Sequence, residues 1–173
     1  MEIFEAIAGR RSVRQFDPAK DVADGLVRRI IEAGIAAPSA GNGQPWRFLV
    51  VRDGATKHRL AYEAGHQRFI DQAPVAIVVC ADTESAESSY GERGRETYAL
   101  QDTAAAIENM LLAVTALGLG SCWVGAFSES VAAEILGLPE GLRPVAMLPV
   151  GYPAGPAGRV PPRRKFEEVV TFK

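Results

Sequence analysis

Apolar residues recur at helical spacing in the first part of the chain. Ile7 lies four positions after Ile3 and three after Phe4, which predicts a short helix ending at Gly9. A second set, over residues 26–34, predicts another helix. Pro38 ends it, because proline has no amide hydrogen to donate. Two helices joined by a loop are therefore expected before the first strand.

Other apolar runs lack this spacing and predict strands. They are residues 46–51, 74–80, 120–125 and 144–151. The run at 74–80 is apolar at almost every position, which is typical of a central strand buried on both faces. Helical spacing returns around 55–63 and over 129–136, so helices are expected between the strands.

A long helix is expected between the second and third strand. Its apolar positions alternate in steps of three and four, at Leu100, Thr103, Ile107, Met110, Val114 and Leu117. Because almost no charge interrupts this segment, protein must surround the helix on most sides. Two arrangements stay open: the helix packs on the sheet of its own chain, or it forms an interface with a second copy.

Two segments follow no periodic pattern. Residues 82–97 are charged and rich in Ser and Gly, which predicts a mobile loop or lid. The tail carries prolines and four basic residues, Arg159, Arg163, Arg164 and Lys165, and is expected to be an extended arm. A strand is predicted over residues 167–172.

Size and charge narrow the class of protein. A chain of 173 residues fits one domain, residues 1–173. A formal net charge of −2 gives no general attraction to nucleic acid. Residues 103–127 are apolar, but Glu108, Asn109 and several glycines interrupt them, so no membrane span is expected. With no signal-like start, a cytoplasmic location is predicted.

Sequence motifs of several common chemistries are missing. Gly118 and Gly120, like Gly41 and Gly43, begin a dinucleotide fingerprint, but tryptophan stands at the third glycine position. No phosphate loop of nucleoside triphosphatases occurs, and the histidines and cysteines have no metal-binding spacing. We expect two buried free thiols, surface histidines, no metal site, and a paired carboxylate at Glu108 rather than a proton donor.

Any chemistry must therefore come from a bound organic cofactor. Arg10, Arg11 and Arg14, together with the basic tail, supply guanidinium groups suited to a phosphate. Neutral hydrogen-bonding side chains follow Pro38, at Ser39, Asn42 and Gln44. Each cluster taken by itself is more often a solvated surface patch.

Together these residues resemble the FMN-dependent nitroreductase family over essentially the whole chain. Four stretches carry the resemblance: residues 10–16, 37–46, 118–125 and 161–170. The resemblance implies an α+β fold with a mostly antiparallel central sheet surrounded by helices. It also implies a homodimer with the long helix at its centre, the C-terminal strand extended onto the partner, and FMN in two clefts between the subunits.

The same resemblance assigns residues to the cofactor. Arg10, Ser12 and Arg14, with Arg11 beside them, are similar to groups that meet the FMN phosphate and ribityl chain. On the same grounds, Arg163 and Arg164 complete the phosphate site. Residues contributed by the partner subunit would be Pro38, Ser39, Asn42 and Gln44. Val124 and Gly125 resemble the segment under the flavin ring, where the Gly125 N–H would donate to N5.

The resemblance further implies an enzyme. It would take hydride from NADH or NADPH and pass it to an electron-poor acceptor, such as a nitroaromatic or a quinone, by a ping-pong mechanism. Two alternatives stay open. One is a flavin enzyme that performs reductive dehalogenation, and the other is a protein that binds and sequesters flavin without turnover.

Overall fold

The computed structural model describes residues 1–155 and 161–173. The α-helices in these ranges are α1 (Ile3–Gly9), α2 (Asp24–Ile35), α3 (Gly54–Arg59), α4 (Phe69–Gln72), α5 (Thr83–Arg93), α6 (Ala99–Ala116), α7 (Glu129–Leu136) and α8 (Phe166–Val169). The strands are β1 (Trp46–Val51), β2 (Val75–Asp82), β3 (Gly120–Ser121) and β4 (Leu142–Gly151). A 3₁₀ turn spans Ala40–Asn42, and π-helical turns span Leu60–Ala64 and Gly94–Tyr98.

The four strands form an antiparallel sheet in the order β1-β2-β4-β3. The apolar run predicted as a central strand is β2, which is buried from Val75 to Ala81. Val78 of β2 lies opposite Leu49 of β1 on one side and opposite Met147 of β4 on the other. The expected α+β fold, with a mostly antiparallel sheet surrounded by helices, is therefore confirmed.

β2 contributes to two hydrophobic cores, because successive side chains of a strand point to opposite faces. Ile77 and Val79 pack in the core that contains α2 and α6. Val78 and Cys80 pack in the core that contains α7 and the π-helical turn after α3. Cys122 joins the second core, and both cysteines are buried free thiols, as expected.

The long helix predicted from three- and four-residue spacing is α6. Its residues Ile107, Met110 and Val114 are buried in the core of the same chain. At Gly34 of α2 an added Cβ would lie 2.9 Å from Met110 Cγ, so the glycine permits close approach of the two helices. Packing within the chain is confirmed, whereas contact of α6 with a second copy stays a prediction. Among the described residues, no helix has both the length and the apolar character needed to cross a membrane.

The prediction of a loop at residues 82–97 is wrong, because Asp82 ends β2 and residues 83–97 are helical. Asp82 caps the start of α5 by accepting a hydrogen bond from the Ser85 N–H at 3.0 Å. Gly91 (φ 61°) interrupts the helix, and the π-helical turn then leads into α6. Only two side chains of α5 are buried, so the sequence shows no apolar stripe that would predict a helix.

The strand predicted over residues 167–172 is also wrong. The chain forms one helical turn, α8, and residues 170–173 form neither strand nor helix. A lone extended segment leaves its backbone groups without a neighbouring strand, whereas a helical turn satisfies some of them internally. Extension of this end onto a partner stays a prediction. Arg159 of the expected arm lies outside the described residues.

Candidate functional site

The segment that follows α1 is attached to the sheet through its backbone. Ser12 forms a parallel bridge with Ser121 of β3, and the Val13 N–H donates to the Ser121 carbonyl at 2.8 Å. Further along, the Asp17 N–H donates to the Tyr152 carbonyl at 2.8 Å, just beyond β4. Residues 12–17 therefore behave as an additional edge of the sheet, and the arginines beside them start from a fixed backbone.

The three arginines of this segment have different surroundings. The Arg10 guanidinium lies 3.5 Å from a carboxylate oxygen of Glu108 on α6, so the paired carboxylate expected at Glu108 is confirmed. The Arg11 guanidinium donates to the Ala8 and Arg10 carbonyls and thereby caps the end of α1. Arg14 is exposed, with its guanidinium 5.9 Å from the centre of the Phe69 ring. Arg10 and Arg14 are the side chains best placed to receive an anion.

The segment after β3 presents a free backbone donor. Val124 is buried and exchanges two hydrogen bonds of 3.0 Å with Met147 of β4, which fixes the chain beside the sheet. On either side of it, Trp123 is 41% exposed and Gly125 is exposed. The Gly125 N–H donates to no acceptor within residues 1–155 and 161–173. This amide is therefore available to a ligand.

The 38–45 loop folds back on itself before β1. The Gln44 N–H donates to Ser39 Oγ at 3.0 Å, and the Gln44 side chain donates to the Asn42 carbonyl at 3.3 Å. Pro38, Asn42 and Gln44 are exposed, whereas Trp46 at the start of β1 is buried. The loop thus presents polar groups to solvent from a base anchored in the core.

The structure brings some of the expected site residues together and keeps others apart. Arg10, Ser12 and Arg14 share one edge of the sheet with β3 and the segment that leads to Gly125. The 38–45 loop instead contacts Asp102 of α6, six positions before Glu108. Six helical residues separate Asp102 from Glu108 by about 9 Å along the helix axis and about 120° around it. One subunit therefore presents the two groups on different sides of α6.

Arg163 and Arg164 of the basic tail are exposed. The Arg163 guanidinium donates to the Pro161 carbonyl at 3.5 Å, within the tail itself. Their place at a phosphate site stays a prediction.

Sequence reasoning missed Asp102 as a functional candidate. Asp102 as a whole is 8% exposed, and its carboxylate accepts a hydrogen bond from the Ala40 N–H, at 3.1 and 3.2 Å to its two oxygens. Burial raises the pKa of Asp102, and the Ala40 hydrogen bond partly opposes that rise. One acidic residue inside the first turn of a long apolar helix was the signal available in the sequence.

A cleft of about 490 Å³ lies elsewhere, between α7, the start of β4 and the π-helical turn before α6. Arg143 and Glu129 line it and form a two-pronged ion pair, with distances of 2.7 and 2.9 Å. Glu96 and Glu140 also line this cleft, so it offers less to an anionic ligand than the segment that carries Arg10, Arg11 and Arg14 does. No group of three or more potential metal ligands occurs in the described part of the chain.

Residues 7–65 and 57–152 match the model of the Nitroreductase family. These ranges contain the end of α1, residues 10–17, the 38–45 loop and the chain around Gly125. The protein belongs to the nitroreductase family, and the resemblance inferred from the four sequence stretches is confirmed.

Individual relatives match over most of their length. The chain is 35% identical to a protein of Thermus thermophilus named NADH dehydrogenase, covering 95% of this chain and 92% of the relative. It is 31% identical to FMN reductase [NAD(P)H] of Bacillus subtilis, covering 92% of this chain and 69% of the relative. The crystal structure of a nitroreductase family protein from Streptococcus pneumoniae superimposes with a TM-score of 0.90 at 25% identity, covering 99% of this chain and all of that one.

Proposed function

We propose that this protein is an FMN-dependent oxidoreductase that takes hydride from NADH or NADPH and delivers it to an electron-poor acceptor. Nitroaromatics and quinones are the expected acceptors. Family membership and the relatives named NADH dehydrogenase and FMN reductase support this class of reaction. The observation that carries the proposal is the Gly125 N–H, which has no acceptor in the described part of the chain and lies near an edge of the sheet that also holds Arg10 and Arg14.

The residues of that edge fit the two chemically different ends of FMN. Guanidinium groups form charge-assisted hydrogen bonds with phosphate. Among the described residues, Arg14 pairs with no carboxylate, and the Arg10 pair with Glu108 involves Nε at 3.5 Å, which leaves the two terminal nitrogens of Arg10 for a phosphate. Ser12 is exposed beside them and would meet the ribityl chain. Val124 and Gly125 would lie under the ring, with the Gly125 N–H directed at N5. Arg163 and Arg164 would add positive charge at the phosphate.

When bound, FMN supplies the redox chemistry, because its ring accepts hydride from the nicotinamide and passes it on. The protein contributes a fixed donor at Gly125, held in place by the two hydrogen bonds of Val124 with Met147. A donor placed where negative charge develops stabilises the transition state without reorganisation. The half-exposed Trp123 provides an apolar surface on which flat donors and acceptors would bind in turn, giving ping-pong kinetics.

A second copy of the chain would complete the site. Within one subunit the 38–45 loop and residues 10–14 lie on different sides of α6. The 38–45 loop of a partner subunit is therefore needed to enclose a flavin beside Arg10. Large apolar side chains are exposed on α1 and around α8, at Ile3, Phe4, Ile7, Phe166, Val169 and Phe172. Such side chains are typical of surfaces that another chain covers. The C-terminal segment would extend onto that partner.

The first experiment is a visible absorption spectrum of the purified protein, repeated after anaerobic addition of NADH and of NADPH. We expect a flavin spectrum that bleaches with at least one of the two nicotinamides. Initial rates with a nitroaromatic or quinone should then give parallel double-reciprocal plots, as ping-pong turnover requires. Flavin that persists with both nicotinamides would mean sequestration rather than reduction. A protein that takes up no FMN after soaking would contradict the proposal.

A further inference from the structure

The 38–45 loop has an unusual backbone. Gly41, Asn42 and Gln44 have φ angles of 53°, 57° and 50°. Residues with side chains adopt this left-handed region at a cost, so a run of such angles persists only where other contacts impose it. The loop therefore depends on the hydrogen bonds and contacts that hold these angles, some within the loop and some from other elements.

Asp102 provides the restraint that comes from farthest away in the sequence. Ala40 is the first residue of the 3₁₀ turn, and its N–H donates to both oxygens of the Asp102 carboxylate. No ion pair involves Asp102 among the residues that the structure describes. In that part of the chain the Ala40 N–H is also the one hydrogen-bond donor to this carboxylate, so the two groups depend on each other.

The other restraints act on the rest of the loop. Ser39 Oγ holds the Gln44 N–H, and the Pro45 carbonyl accepts a hydrogen bond of 2.9 Å from the Asp82 N–H. The Tyr90 hydroxyl lies against Gly41, where an added Cβ would overlap it. Asp102 is the contact that ties the start of the turn to α6, the helix that also carries Glu108 beside Arg10.

We propose that Asp102 is a positioning residue that sets the conformation of the 38–45 loop and thereby its ability to bind flavin. This inference rests on the proposed function, since it assumes that Ser39, Asn42 and Gln44 meet the cofactor. Fixing the Ala40 N–H orients Ser39, which precedes the turn, and Asn42, the last residue of the turn. Asp102 itself would act through the loop and would not touch the flavin.

Two variants remove the hydrogen bond from opposite sides. Asp102→Ala deletes the acceptor, and Ala40→Pro deletes the donor without altering α6. Proline suits this position because Ser39 before it is already extended (φ −144°, ψ 157°) and because helical turns accept proline at their first residue. Asp102→Asn keeps a carbonyl that can accept the bond, and serves as the conservative variant.

Asp53→Ala is the matched control. The Asp53 carboxylate also accepts a backbone N–H, from Thr56 at 2.7 Å, but it caps α3 away from the 38–45 loop. This variant measures what the loss of such a bond does to stability without changing the loop.

Two measurements separate positioning from general stability. Hydrogen–deuterium exchange of the flavin-free protein reports on the peptide over residues 39–45, and titration with FMN gives the dissociation constant. For Asp102→Ala we expect faster exchange of that peptide and a dissociation constant raised about tenfold, the lower range for a hydrogen bond to a charged group. Ala40→Pro should raise the dissociation constant for FMN by a similar factor. The double variant should have a dissociation constant no higher than that of either single variant. Asp102→Asn and Asp53→Ala should stay near the wild-type value.

The inference is overturned if Asp102→Ala folds with unchanged exchange at residues 39–45, or if the effects of Asp102→Ala and Ala40→Pro add. It is also overturned if Asp102→Asn behaves like Asp102→Ala, because the acceptor would then not be what matters. If Asp102→Ala does not fold, Ala40→Pro decides the question by the same two measurements. A wild-type protein that binds no FMN would refute the proposed function, while the exchange data would still decide whether Asp102 positions the loop.

Discussion

The 10–17 segment and the 38–45 loop both carry residues proposed to meet FMN, but different groups hold them in place. The 10–17 segment is attached by backbone hydrogen bonds to β3 and to the chain after β4, so its own side chains are not needed for its conformation. The 38–45 loop also has backbone hydrogen bonds within itself, but its contacts with the helices α6 and α5 are made by side chains, those of Asp102 and Tyr90.

This difference separates two kinds of mutational effect. On the 10–17 segment, removal of an exposed side chain should change ligand binding and leave the backbone in place. At the 38–45 loop, removal of a side chain far away in the sequence should change the shape of the binding surface. Substitutions can therefore test whether each region behaves as its contacts predict.

The largest expected effect is on flavin affinity after loss of an arginine. Arg10→Ala or Arg14→Ala should weaken FMN binding by roughly 1.5–3 kcal/mol, the range for hydrogen bonds to charged groups. The free energy of unfolding of the flavin-free protein should change little, because neither guanidinium holds the segment to the sheet. Fluorescence titration with FMN and urea denaturation measure the two quantities. Unchanged FMN affinity would remove these arginines from the site, and Gln44→Ala should weaken binding less.

The next effect tests the backbone attachment of the 10–17 segment. A Cβ added at Gly120 would lie 2.8 Å from three carbon atoms of the Val13 side chain. Gly120→Ala should therefore lower the free energy of unfolding by about 1–3 kcal/mol, the usual cost of overpacking. The loss should be smaller in a Val13→Ala background, where two of those three carbons are gone. Equal losses in both backgrounds would contradict the proposed clash, and Gly25→Ala, with open space around it, is the control.

A smaller effect is expected at the tip of the 38–45 loop. Gly41→Ala should lower the free energy of unfolding by about 1 kcal/mol, because alanine disfavours the left-handed backbone angle found there. Contact with Tyr90 adds to this cost, so the comparison is repeated in a Tyr90→Ala background, where only the backbone term remains. Urea denaturation gives both values. A loss that vanishes when Tyr90 is removed would show that the backbone angle is not strained.

The smallest effect concerns Glu108. Its ion pair with Arg10 spans 3.5 Å between side chains that are 49% and 26% exposed, so Glu108→Gln should change stability by less than about 0.5 kcal/mol. FMN should bind slightly more tightly, because Arg10 loses a negative neighbour, and salt should reduce the difference. FMN titrations at low and high ionic strength measure it. Weaker binding in the variant would mean that Glu108 orients Arg10 for the phosphate.

The sequence predicts the strongly patterned parts of this fold well. β2 is apolar at almost every position, which indicates a strand buried on both faces. α6 has apolar residues in steps of three and four, which indicates a buried helix. α5 is missed because it packs on the protein through few side chains, so its sequence resembles that of a loop. At the C-terminal end, β-branched residues favour a strand in principle, but no strand pairs with them within residues 1–155 and 161–173.

The candidate site is only partly visible in the sequence. Arg10, Ser12 and Arg14 stand close together along the chain, and the turn around Asn42 is recognisable from its Pro and Gly residues. Asp102 is different, since its partner Ala40 is 62 positions away and only the fold brings them together. The free Gly125 N–H likewise depends on the register of Val124 against Met147, which no local pattern specifies.

The burial of Cys80 in β2 determines how this cysteine reacts with thiol reagents. Burial raises the pKa of the Cys80 thiol to about 12, so almost no thiolate is present at neutral pH. Thiolate is the form that alkylating agents and peroxide attack. A labelling reagent should therefore react with Cys80 only when β2 is exposed. The rate at which Cys80 is modified would then report how often the sheet opens.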